Sequence, residues 1–261
     1  MDVWYPANRQ ATDTLPVLLF SPALDQTPAV YHGILSAIAA KGYAVLAVRH
    51  QYPEPFNFAT QVAPLAFDLL EGLDFATRRQ AEHDPVFMPL DLRRVGAFGH
   101  SYGGTVAIEA CTRDSRIAAA MDIDGTVFGR AVVNGAPCPV FLLFATLPWT
   151  ERFRREPPKF LVGHDRARIH EEMLYARSAT VYWLIVRGLD HMSFTDEALT
   201  PGVAKRFAAR TGLLLDARQT HAMTERYLSA FFGRYLRTAS ADTAILERSP
   251  YNFATLRRKL Q

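Results

Sequence analysis

Val95-Gly-Ala-Phe-Gly-His-Ser-Tyr-Gly-Gly104 is the stretch on which the reading of this chain turns. Val95 to Phe98 reads as a short buried strand. A tight turn follows, and then a helix running on through Val106, Ile108 and Ala110. Within the turn, Gly99-His100-Ser101-Tyr102-Gly103 is the G-x-S-x-G pattern of a nucleophile elbow. A serine at the tip of such a turn sits in a strained backbone conformation, and the glycines two positions either side remove side chains that would collide. The helix that follows points its free N–H groups at the same centre. The alternative is a glycine-rich structural turn. The strand before and the helix after are the context that favours a nucleophile.

Working outward, Pro16-Val-Leu-Leu-Phe-Ser21 is a short apolar run of the kind that forms a parallel strand buried on both faces. Val30, Ile34, Ala37 and Ile38 follow at helical spacing, and Gly42 is placed to end that helix. Tyr43 to His50 is the next strand, and Ala66, Leu69, Leu70, Leu73 and Ala76 make another helical stripe. Ile117 to Ile123, Pro139 to Ala145 and Thr180 to Val186 read as further strands. A final helix carries Met223, Tyr227, Ala230 and Phe231 on its core face. This alternation predicts an α/β chain with a mostly parallel central sheet and helices on both faces. No repeat or linker interrupts it, so residues 1–261 read as one domain.

Composition agrees with that. The hydrophobic share is 49% and the charged share 21%, an ordinary globular balance with ample core material. The net charge of +3 comes from scattered basic residues, so nucleic acid is not implied. No apolar run approaches the roughly 20 residues that span a bilayer. The first residues look like the inside of a strand, not a signal peptide. The compartment therefore stays open: cytoplasmic by default, secreted if the start has been trimmed. Cys111 and Cys138 give no disulfide framework and no metal-ligand spacing, and they read as buried, inert thiols.

A serine hydroxyl needs an adjacent base, usually histidine, and in α/β-hydrolase order that histidine comes last, after the acid. His191, in Arg187-Gly-Leu-Asp-His-Met-Ser-Phe194, follows the strongest late strand, where a glycine loop can aim it at the elbow. His221 lies on the last helix, His164 and His170 in a charged stretch, and His32, His50 and His83 before the serine. His100 adjoins Ser101 but should point away from it. For the acid, Asp122 and Asp124 lie at a strand end on the same face, so spacing alone does not separate them. Asp165 is a third candidate. Asp190 is too close to His191 in sequence to reach its ring. No His or Asp pair has metal spacing, so neither a metal nor another cofactor is expected. The second oxyanion donor, besides the Tyr102 N–H, should come from Ser21-Pro-Ala-Leu-Asp25. Pro22 has no N–H, which leaves Ala23, Leu24 or a neighbour.

These residues together carry a family likeness. Val3-Trp-Tyr-Pro-Ala7, Leu19-Phe-Ser-Pro-Ala-Leu24, Lys41-Gly-Tyr-Ala-Val45, Gly99-His-Ser-Tyr-Gly-Gly104, Asp122-Ile-Asp-Gly125, Gly188-Leu-Asp-His-Met-Ser-Phe194 and Tyr227-Leu-Ser-Ala-Phe-Phe232 occur in order over nearly the whole chain. In this it resembles the platelet-activating-factor acetylhydrolase group of the α/β-hydrolase superfamily. The resemblance implies that fold, with Ser101 as nucleophile, Asp124 as acid, His191 as base, and the Leu24 and Tyr102 N–H groups as oxyanion donors. It implies hydrolysis of short acyl esters, including short or oxidised sn-2 chains of phospholipids, without calcium. One loop departs from the family pattern: Ala23 and Asp25 stand where the family commonly has glycines. That should stiffen the loop, and an inward carboxylate there would oppose the oxyanion.

The expected partner is a small-molecule acyl ester. A lipase, polyester hydrolase or thioesterase of the same fold, or a hydrolase-like binding module without turnover, are the alternatives. Phe56-Asn-Phe58 could border the acyl pocket. Residues 147–160, with aromatics among Arg152, Arg154, Arg155 and Lys159, fit either a lid or lipid-headgroup contact, or more plainly a solvated surface helix and loop. Oligomeric state is not legible.

Overall fold

A computed structural model of the chain describes residues 1–8, 10, 13–146, 164–203, 216–237 and 243–261, with the backbone alone for 164–168. The strands are β1 (Asp2–Trp4), β2 (Leu15–Ser21), β3 (Ala44–Ala47), β4 (Leu90–His100), β5 (Ile117–Ile123), β6 (Val140–Thr146), β7 (Val181–Arg187) and β8 (Ala254–Lys259). They form one eight-stranded sheet in the order β1-β3-β2-β4-β5-β6-β7-β8. The run from β3 to β7 is parallel, and β1 and β8 close the two edges antiparallel. Among the described residues the α-helices are α1 (His32–Ala40), α2 (Phe58–Ala81), α3 (Tyr102–Arg113), α4 (Arg130–Asn134), α5 (His164–Arg177) and α6 (Ala217–Leu236). This is the mostly parallel sheet covered on both faces that the alternation predicted.

The apolar runs explain the layers. Every residue of β2 is buried, and strand alternation sends Val17 and Leu19 to one face and Leu18 and Phe20 to the other. On the first face Leu65, Leu69 and Leu73 of α2 and Val106 and Ala110 of α3 close the core. On the second, Leu35 and Ile38 of α1 and Met223, Tyr227 and Phe231 of α6 do so. Local signals set the ends. Asn57 caps α2 by accepting from the N–H groups of Ala59 and Thr60. Asp216 and Gln219 form a capping box on α6. Gly42 follows α1 at φ +92° with its N–H on Ala39 O.

Some elements differ from the sequence reading. β4 begins at Leu90, five residues before the apolar run at Val95, because Leu15 and Leu90 extend the β2–β4 ladder ahead of an irregularity at Pro16/Val17. β8 has no apolar run at all. Its Arg257 lies over the rings of Trp183 and Tyr175 and pairs with Glu172. A charged strand at a sheet edge is how such edges resist further pairing. Residues 147–160 lie outside the described residues.

Cys111 and Cys138 require a correction, since the reading as inert free thiols is overturned: the two form a disulfide. The connectivity explains it. Cys111 lies in the last turn of α3, and Cys138 just precedes β6. The crossover through β5 brings these points together over one sheet face, with Cα atoms 6.4 Å apart. A separation of 27 residues was too long for a local spacing rule to register. Closing a loop of that length stabilises the fold mainly by restricting the unfolded chain, by about 3.5 kcal/mol. In urea unfolding monitored by tryptophan fluorescence, Cys111→Ala/Cys138→Ala should lose about that amount of stability. An unchanged midpoint would mean that the bridge does not form.

Candidate active site

The carboxyl ends of β2, β4 and β5 lie side by side, with Ser21 opposite Gly99 and His100 opposite Ile123 in register. In α/β sheets this edge is where ligands bind. Ser101 stands between β4 and α3 with φ 56° and ψ −127°, a left-handed conformation that a non-glycine residue adopts only under constraint. Its N–H is held by Ile123 O at 2.8 Å. The constraint is backbone crowding. A Cβ on Gly99 would lie 2.2 Å from Gly103 O, and one on Gly103 would lie 2.1 Å from Ser21 O. Neither position admits a side chain, which is the physical content of the G-x-S-x-G spacing.

β7 delivers the histidine. After Arg187 the chain turns at Gly188, whose φ is +84° and whose N–H bonds Thr146 O at 2.7 Å. Asp190 and Ser193 then form a capping box on the 3-10 turn His191–Phe194. Asp196, just beyond, accepts the Gly33 N–H near the start of α1 at 2.9 Å. The His191 ring therefore sits on a segment tied at both ends. Its Nε2 is 2.9 Å from Ser101 Oγ and its Nδ1 is 2.7 Å from Asp124 Oδ2.

Asp122 and Asp124, which spacing left unresolved, have different surroundings. Asp124 lies one residue past β5 at φ 56°. Its N–H bonds Leu143 O at 2.7 Å, and its Oδ1 accepts the Ala145 N–H at 2.7 Å. Both tethers aim the other carboxylate oxygen at His191. Asp122 is still inside the strand and points beneath α3, where it accepts the Gly125 N–H at 2.9 Å. Burial, with the charge of Glu171 adding to it, pushes its carboxyl well above the usual range. Asp122 thus tends to the neutral form, while Asp124 faces the imidazole. Asp165 falls among the residues described by backbone alone, at the start of α5.

Crowding by protein atoms opposes protonation of His191, but the hydrogen bond and charge of Asp124, with a smaller contribution from Asp190, outweigh it and raise the ring above its ordinary value. His100 does point away from Ser101. It is buried between Tyr31 and His191, with Nδ1 2.8 Å from Tyr31 Oη and Nε2 2.9 Å from His191 O. Burial, and then the neighbouring charge of His191, holds it well below the ordinary histidine value. A neutral ring with its proton on Nε2 donates to His191 O and accepts from the Tyr31 hydroxyl. Tyr31 in turn accepts the Ala23 N–H at 3.2 Å. A hydrogen-bonded line therefore joins the loop after β2 to the backbone of His191. Tyr31 had no motif to mark it. The other histidines go elsewhere: His221 Nε2 lies 3.3 Å from Thr195 O, His170 Nδ1 2.8 Å from Val127 O, and His50 by Ser21.

In the loop Ser21-Pro-Ala-Leu-Asp25, the Ala23 N–H is taken by Tyr31, whereas among the described residues no acceptor takes the N–H of Leu24 or of Tyr102. Asp25 is exposed and left-handed at φ 58°. Phe56 and Phe58 pack edge-on against the Tyr102 ring, with centroids 5.3 and 5.4 Å away, and the half-exposed Phe58 stacks on Phe128. Among the described residues no group of three or more His, Cys, Asp or Glu side chains could hold a metal ion, and no helix is long and apolar enough to cross a membrane.

No protein-family model matches the chain. Over 136 residues it is 29% identical to an Arthroderma benhamiae protein described as "Probable 1-alkyl-2-acetylglycerophosphocholine esterase". That match takes in 46% of this chain and spans only about a third, 34%, of the relative's length. Among solved structures, a ferulic acid esterase from Streptomyces cinnamoneus superposes with a TM-score of 0.75 at 26% identity, over 96% of this chain and 76% of that one. The chain is thus an α/β-hydrolase by fold, and its likeness to the platelet-activating-factor acetylhydrolase group, read from its motifs, is borne out by a relative described as an esterase of the 2-acetyl ether lipid.

Proposed function

We propose that the chain is a serine carboxylic-ester hydrolase acting on short-chain acyl esters. The observation that carries this reading is the unbroken line from Ser101 Oγ to His191 Nε2 at 2.9 Å and from His191 Nδ1 to Asp124 Oδ2 at 2.7 Å. Both spacings lie within the hydrogen-bond reach that proton transfer needs. His191 takes the hydroxyl proton as Ser101 attacks the ester carbonyl, and Asp124 stabilises the imidazolium that forms. The N–H groups of Leu24 and Tyr102 receive the oxyanion. Their lack of an acceptor among the described residues, and the position of Tyr102 in the first turn of α3, support that role. The protonated His191 then gives its proton to the leaving alcohol. Water, activated by the same ring, releases the acid from the acyl-serine.

The two esterases similar to this chain support the reaction class; one is named for a 2-acetyl ester and the other for ferulic acid. The exposed Phe58 ring, stacked on Phe128 beside Tyr102, favours acyl groups with a flat apolar part as a second reading within that class. A p-nitrophenyl ester series from acetate to decanoate, run beside methyl ferulate, ranks the two. A binding module without turnover would show no Ser101-dependent rate on any of them.

Ser101→Ala should cut kcat by about 10⁶ and abolish stoichiometric labelling by a fluorophosphonate, as in serine-protease triads. Labelling that persists in the variant would refute the nucleophile. Asp124→Asn should cost about 10⁴ in kcat by the same analogy, whereas Asp122→Asn, which mimics a carboxyl already inclined to be neutral, should stay within roughly tenfold of the parent. The reverse ranking would move the acid to Asp122. The base must be unprotonated to act, so kcat/KM should rise with pH through the His191 pKa. Asp124 raises that pKa, which puts the acidic limb above the ordinary histidine value of 6.5. Asp124→Asn should shift the limb to lower pH, and a limb that does not move would separate it from this pair.

A further inference from the structure

We propose that Ser21, His50 and Asp68 form a second serine–histidine–aspartate line, which fixes the oxyanion loop in place instead of reacting. Ser21 Oγ is 2.8 Å from His50 Nε2, and His50 Nδ1 is 3.3 Å from Asp68 Oδ2. The order of groups repeats that of Ser101, His191 and Asp124, but the accessibility is opposite. Ser21 and the His50 side chain have no exposed surface, so no ester carbonyl reaches that hydroxyl. Half of the Asp68 side chain is exposed on α2, at the outer end of the line.

Location gives the line its work. Ser21 is the last residue of β2, and its carbonyl oxygen lies close against both elbow glycines. Three residues later comes Leu24, whose N–H lacks an acceptor among the described residues. The root of that loop is thus pinned on one side by the Ser21 hydroxyl and on the other by Tyr31, which takes the Ala23 N–H. The Tyr52 hydroxyl donates to Ala23 O at 3.4 Å, and its ring lies 6.1 Å from that of His50. An Nδ1–H directed at Asp68 leaves Nε2 to accept the Ser21 hydroxyl proton. That orients the serine side chain and, through it, the turn into Pro22. An oxyanion donor is effective only if it is in position before charge develops. His50 and Ser21 are therefore positioning residues, and this inference rests on the oxyanion role proposed above for Leu24.

Backbone amide exchange by mass spectrometry on peptides covering residues 22–26, alongside p-nitrophenyl acetate kinetics, tests the line. Ser21→Ala and His50→Ala should speed exchange at the loop about tenfold and lower kcat about 10- to 100-fold, with KM within about twofold. His50→Gln, whose amide can stand in for Nε2, should recover most of both. Asp68→Asn sits on the helix surface and cannot unfold the core, so it serves if the buried variants fail to fold. It should show a smaller change of the same kind, about threefold in exchange. Loop exchange at the parent rate in a folded variant, or a KM increase at constant kcat, would overturn the proposal. Exchange is read without substrate, so turnover that survives Ser101→Ala sinks the esterase reading separately from this result.

Discussion

The contact between the elbow and the end of β2 is the constraint from which the rest of the site follows. Ser101 holds a left-handed backbone because Gly99 and Gly103 let β4, α3 and the Ser21–Pro22 backbone approach within a distance that excludes any Cβ. Such strain persists only where the surroundings over-determine it. Here they are the parallel ladders on either side and the Ile123 carbonyl that holds the Ser101 N–H. The same approach places the loop after β2 beside the first turn of α3. The proposed oxyanion donors, at Leu24 and Tyr102, lie on these two segments.

Around that contact the polar groups divide by their surroundings. Asp124 sits past its strand, where the Ala145 N–H and the imidazole engage its carboxylate. Asp122, two residues earlier, is enclosed under α3 and inclines to the neutral form. His191 and His100, with ring centroids 4.6 Å apart, part in the same way. The carboxylate raises one, while burial and the first ring's charge lower the other. Titratable neighbours pushed apart in this way are what a candidate functional site is expected to contain. A neutral His100 also suits its place between a hydroxyl and a carbonyl, since a second charge there would oppose the imidazolium that the proposed reaction forms.

What could be read beforehand was whatever the chain writes locally. The elbow needs five consecutive residues, and strands such as Pro16–Ser21 or Thr180–Val186 announce themselves as short apolar runs. Features that depend on two distant segments left no such mark. Cys111 and Cys138 meet only because of the crossover through β5, and Ser21 and His50 only because β2 and β3 are neighbours. Asp122 and Asp124 share a side by alternation until the backbone leaves the strand at φ 56°, and no pattern of residue types encodes that turn. β8 was invisible for a different reason. Its stability comes from pairing with β7 and from arginine stacking on aromatic rings, neither of which requires an apolar sequence.

The loop that departs from the family pattern gains meaning from the same accounting. Asp25 occupies a left-handed conformation, which glycine adopts freely and which an L-residue adopts at a cost of roughly 1–2 kcal/mol, with Asp among the more tolerant types. That cost is borne by a loop already fixed at Ala23 by Tyr31 and Tyr52 and at Ser21 by His50. The carboxylate is exposed, and its charge is felt at the Tyr52 phenol, which burial and then Asp25 push upward. Water screens an exposed charge far better than a buried one. The stiffness expected from replacing glycine therefore works with the proposed mechanism: a donor held rigidly at Leu24 needs no reorganisation when charge appears, and the residue that stiffens it keeps its own charge in solvent.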